Sequence, residues 1–128
     1  MPIVRAADAV LHEMHGARFT SYAAPARGST ELCAWRLDLP GGAAGMPHTV
    51  SREEILFVLS GSLQVTFEPG KGPKAAQAGR GDVIVVPAGS TISVGNPGAE
   101  PAAAWVTTSA GLTATLPGGA TVTPPWVR

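Results

Sequence analysis

The chain has 128 residues, 45% apolar and 14% charged, with nine basic and nine acidic side chains and no net charge. That balance suits one folded domain with a single core and excludes a disordered chain. The charges are scattered, so there is no basic stripe for nucleic acid, and near-zero net charge makes self-association easier.

Residues 1–18 form a weakly patterned N-terminal arm, with one or two helical turns or a short edge strand expected over residues 6–11. The arm carries charge throughout and has no long apolar stretch, so no signal peptide is expected. His12 and His15 stand three apart and would share a face on a helix. With no third ligand nearby, they read as solvated or structural rather than metal-binding.

A strand is expected over residues 19–22, broken by Pro25 and Gly28. Residues 31–39 alternate, with Cys33, Trp35, Leu37 and Leu39 on one face, which predicts a strand with one buried side. Cys33 is the single cysteine, so no internal disulfide forms, and it reads as a small buried hydrophobe.

A short strand follows around residues 48–50. Residues 55–59 and 83–86 are continuously apolar, which predicts strands buried on both faces. Residues 63–67 alternate again. Pro69, Gly70, Lys71, Gly72 and Pro73 read as an exposed loop with Lys71 and Lys74 in or beside it. Further strands are expected at residues 91–94, 103–108 and 113–116. The Pro-rich tail, residues 117–128, suits neither a regular helix nor a central strand. Nine or ten short strands separated by Gly and Pro turns predict an all-β sandwich or barrel. No apolar run of about 18 residues is present, so no membrane span and a cytoplasmic protein are expected.

Two spaced patterns stand out within residues 42–61 and 81–96. The first reads Gly42, five residues, His48, Thr49, Val50, three residues, Glu54, six residues, Gly61. The second reads Gly81, five residues, Pro87, Ala88, Gly89, two residues, Ile92, three residues, Asn96. Together they resemble the two motifs of the small single-domain cupins. The resemblance implies one cupin domain over residues 1–128, an antiparallel jelly-roll β-barrel. In that family the first motif supplies two His and one Glu, and the second one His, as four inward ligands to a divalent metal. Here His48 and Glu54 stand at two of those positions, while Val50 and Ile92 are aliphatic.

His48 and Val50 are two apart and so share a face. A pocket lined by His48, Val50, Glu54 and Ile92 is expected, with Gln64 as a neighbour. A His and one carboxylate leave a divalent ion short of ligands. No cofactor is therefore expected, and any metal would be weakly held on His48 and Glu54, with Gln64, His12 or His15 able to add to them. A bland reading makes His48 and Glu54 a remnant pair hydrogen-bonded to each other. Glu53 and Arg52 are expected at the surface.

Three functions follow. The first is a small-molecule-binding cupin, with metal-free isomerase or epimerase-like chemistry in which His48 is the base and Glu54 its acid or orienting partner. The second is a metal-dependent oxygenase or cyclase with a reduced ligand set. The third is a sensor or accessory binder without chemistry. No nucleophile elbow, phosphate loop or dinucleotide fingerprint is present. A homodimer is also expected, with the N-terminal segment and an outer sheet face at the interface. The outward sides of residues 55–59 and 83–86, with Trp35 and Trp126, would otherwise lie uncovered.

Overall fold

A computed structural model describes residues 3–67 and 72–128. Twelve strands are present among them: β1 (Val10–Met14), β2 (Ala17–Ala23), β3 (Leu32–Leu39), β4 (His48–Val50), β5 (Glu54–Ser60), β6 (Ser62–Phe67), β7 (Lys74–Gly79), β8 (Val83–Val86), β9 (Thr91–Gly95), β10 (Ala102–Ser109), β11 (Ala114–Thr115) and β12 (Thr121–Val122). They form two six-stranded antiparallel sheets, ordered β1-β2-β3-β10-β5-β8 and β12-β11-β4-β9-β6-β7. The two sheets enclose one core, the jelly-roll barrel that strand count and turn spacing predict.

Alternation decides which side of each strand is covered. In β3 the expected face is the buried one: Cys33, Trp35, Leu37 and Leu39 point inward. Leu56 and Val58 of β5, Leu63 and Val65 of β6, and Val106 of β10 complete the same core. Each such side chain contributes about 1.5–3 kcal/mol by leaving water.

Two glycines are required by close backbone approaches. Gly61 turns between β5 and β6 at φ 69°, and a Cβ there would lie 2.5 Å from the Pro101 carbonyl oxygen. At Gly45 a Cβ would lie 2.8 Å from the Val94 backbone, so the segment leading into His48 can lie flat on β9 only with Gly at that position. The Ala43–Asn96 bridge pins the same segment. Asn96 is buried and donates from Nδ2 to the carbonyls of Glu100 and Leu39, 2.7 and 3.4 Å away. Its place in the second motif is therefore structural.

Residues 6–8 form a 3-10 turn and β1 is an edge strand, the two forms expected of the arm. Several other expectations are corrected. His12 lies on a strand and His15 in a hairpin turn at φ 52°. The two do not share a helix face. β5 and β8 are not buried on both sides: strand pairing sets Ile55 opposite Val85 and Phe57 opposite Val83, and all four face outward, 42–52% exposed. Their continuous apolar sequence hid the period of two that burial follows.

β7 reads KAAQAG, poor in β-branched residues, and is a strand because it pairs with β6 along its length. Trp35 faces the core, and Trp126 docks inside its own chain. Of the loop expected after residue 67, Pro69, Gly70 and Lys71 lie outside the described residues. Among the described residues no helix is long and apolar enough to cross a membrane.

Candidate functional site

Between the sheets lies a cavity of about 480 Å³, within the size range of sites that hold one small molecule, about 300–1,000 Å³. His48, Glu54 and Ile92 all line it. They come from three strands: β4 carries His48, β9 sets Ile92 directly opposite, and β5 opens with Glu54. Val50 points the same way as His48 but is packed into the core beside the cavity at 1% exposure, and it does not line it. Gln64 does not join the site. It sits on the outer side of β6, in a separate shallow groove with Thr66 and Ser93. Its neighbours Leu63 and Val65 take the inward positions, so alternation sends Gln64 outward. His15 lines the cavity. His12 lies instead against Trp126, ring centroids 6.4 Å apart. Arg52 and Glu53 are exposed, as expected.

The half-buried His48 has one protein partner among the described residues. Its Nδ1 lies 2.9 Å from the Met46 carbonyl oxygen. A carbonyl only accepts, so Nδ1 carries the proton. In the neutral ring Nε2 then holds the free lone pair.

Glu54 is 8% exposed and lines the cavity. Thr108, opposite it on β10, gives its hydroxyl to the Glu53 carbonyl, 2.7 Å away. Burial disfavours the carboxylate and pushes the Glu54 pKa up to about 7. His48 and Glu54 are not bonded to each other, so the reading of a closed remnant pair is set aside. The cavity thus presents the His48 imidazole, fixed at Nδ1, on one wall and a carboxyl with a pKa of about 7 on another.

The four-ligand metal set does not fit this site. Among the described residues no group of three or more His, Cys, Asp or Glu side chains gathers where it could hold an ion. Val50 and Ile92, at 1% and 2% exposure, are packed hydrocarbon and offer no donor.

Sequence reasoning missed the aromatic wall. Phe19 and Trp126 stack with ring centroids 3.7 Å apart and planes 7° from parallel, and both line the cavity. Trp35 lies tilted against Trp126 at 6.5 Å. Its indole N–H is buried and has no hydrogen-bond partner among the described residues, a cost of about 1–3 kcal/mol. The alternation of β3 signalled Trp35. No local pattern signalled Trp126.

The sequence matches the family model for Cupin over residues 17–124. The chain belongs to the cupin family. No curated protein sequence matches this cupin. Among solved structures it resembles the polyketide cyclase RemF from Streptomyces resistomycificus, with a TM-score of 0.74 and 17% identity over 85% of this chain and 79% of that one. It also resembles oxalate decarboxylase from Bacillus subtilis, with a TM-score of 0.71 and 22% identity over 81% of this chain. This cupin spans only 28% of the decarboxylase's length. An oxalate oxidase structure matches with a TM-score of 0.67 and 22% identity, over 77% of this chain and 54% of that one. At these identities the likeness is one of fold.

Proposed function

We propose that this cupin binds a small, mostly apolar metabolite in its barrel, in the cytoplasm, and moves a proton on it without a metal. In this reading His48 is the general base and Glu54 the general acid. The observation that carries the reading is the His48 ring. Its Nδ1 is committed to a carbonyl, which leaves Nε2 free to take a proton in the neutral ring, and the cavity wall is mostly apolar, with His15, Glu54, Thr123 and Arg128 also among its residues. Glu54, with a pKa near 7, can hold or release a proton at neutral pH, as a general acid must. Isomerisation or epimerisation beside a carbonyl needs no more than such a pair. The cyclase and oxalate enzymes share the fold, and their reactions are not carried over.

The test is exchange of carbon-bound protons in heavy water, followed by NMR, across a panel of cyclic ketones and hydroxyketones. Wild type is expected to exchange at least one substrate, and His48→Ala to slow that exchange by about 10²–10⁴-fold. Exchange in His48→Ala at the wild-type rate refutes the assignment, as does a panel on which wild type does nothing.

We also propose a homodimer through the outer face of the first sheet. The support is the block formed by Ile55, Phe57, Val83 and Val85, contiguous across β5 and β8 and apolar throughout. Trp126 no longer needs a partner, since Phe19 of its own chain covers it. Sedimentation at micromolar concentration should show twice the 13.0 kDa chain mass, and Phe57→Lys should yield monomer. A wild-type species at 13.0 kDa refutes the dimer.

A further inference from the structure

Most of the cavity wall belongs to the two sheets, but one part does not. The turn Pro125–Val127 brings Trp126 in from the tail. Side chains of the first sheet and the turn Pro25–Arg27 that follows β2 hold it there. The Ser21 hydroxyl donates to the Trp126 carbonyl at 2.8 Å, and the Cys33 thiol donates to the Val127 carbonyl at 3.6 Å. The Ala26 N–H donates to the Arg128 carbonyl at 3.3 Å. The Arg27 guanidinium donates in turn to the Ser21 hydroxyl. These contacts fix the tail backbone, and the tail fixes the indole flat against Phe19.

We propose that Trp126 is the specificity-determining residue of this cavity, and that the ligand it selects is an uncharged molecule with a flat ring and a hydroxyl group. The inference deepens the ligand-binding part of the function proposed above and rests on it. Three observations converge on this ligand. A flat ring gains most from a stacked aromatic wall, because offset π-contacts add to the area buried. The lining is mostly apolar, with His15, His48, Glu54, Thr123 and Arg128 at parts of the wall, so most of a ligand's contact is with hydrocarbon, which favours an uncharged molecule. The His48 Nε2, left over by the Nδ1–Met46 bond, calls for a hydrogen-bonding partner, and a hydroxyl can serve it as donor or acceptor.

The probe is 2-naphthol, titrated by calorimetry into the full chain, with 1-octanol as a flexible alcohol for comparison. Wild type is expected to bind 2-naphthol more tightly than 1-octanol. Trp126→Leu should weaken 2-naphthol by about tenfold and leave 1-octanol nearly unchanged, since it removes an aromatic contact and keeps the apolar bulk. Trp126→Phe should stay within about threefold of wild type. Trp105→Phe, on the outer face beside Tyr22, should change nothing.

The proposal is overturned if wild type prefers 1-octanol or binds neither alcohol, or if Trp126→Leu binds 2-naphthol like wild type. Should Trp126→Leu fail to fold, nuclear Overhauser contacts in wild type decide. Contacts from the naphthol ring to the Trp126 indole support the proposal, and contacts only to Trp105 overturn it. The two readings fail separately. Naphthol binding without proton exchange on any ketone removes the catalytic reading and keeps the ring site. Exchange on non-ring ketones alone, with no naphthol binding, does the reverse.

Discussion

Glu54→Gln is expected to stabilise the protein at pH 8 by about 3 kcal/mol and to leave it nearly unchanged at pH 4. The sign follows from the direction of the shift. Burial raises the Glu54 pKa from its ordinary 4.5 to about 7. Between those two values the folded state binds more protons than the unfolded state, so stability falls as pH rises. Below pH 4.5 the carboxyl is protonated in both states and costs nothing extra. Above pH 7 wild type carries a largely buried carboxylate, which the nearly isosteric amide avoids. Urea denaturation of both proteins at the two pH values measures the effect, and the difference between them isolates Glu54 from the other carboxylates. Parallel behaviour of the two proteins across the whole range would mean that Glu54 is solvated. The same residue ties stability to the proposed function, because a carboxyl poised near neutrality is costly for the fold and useful for proton transfer.

The second large effect is expected from completing the ligand set. His48 and Ile92 are directly opposed across β4 and β9, so Ile92→His places an imidazole within about 5 Å, Cβ to Cβ, of His48. Val50→His adds another on the same side of β4. With Glu54 that makes four donors, three of them at the cavity wall and the one at position 50 in the core beside it. The double variant should bind Zn²⁺ or Ni²⁺ at least about a hundredfold more tightly than wild type. Without metal it should be less stable than wild type, because two packed aliphatic side chains at 1% and 2% exposure give way to imidazoles. Added metal should raise its melting temperature and leave that of wild type unchanged. If wild type binds as tightly as the double variant, another donor contributes, and His15, which lines the same cavity, is the first to substitute.

Local chemistry determined much of this protein. The period of two in residues 31–39, the Gly and Pro turns and the spacing of two motifs specified a barrel of short strands. They also put His48, Glu54 and Ile92 on course for one interior. These signals are legible because strand alternation and turn geometry depend only on near neighbours in the chain. The same period assigns Gln64 to the outer face, since the apolar Leu63 and Val65 on either side of it take the core, and placing it beside the pocket went against that alternation.

The rest was decided by tertiary contacts between residues far apart in sequence. Ile55 and Val85 face solvent because β8 pairs with β5 in one register and the core lies on the other side. Trp126 becomes a wall of the cavity because Ser21, 105 positions away, holds its carbonyl. The pKa of Glu54 is raised because the strands packed around it bury its carboxyl. Burial, docking and desolvation are properties of surfaces brought together by the whole chain, and no window of sequence contains them.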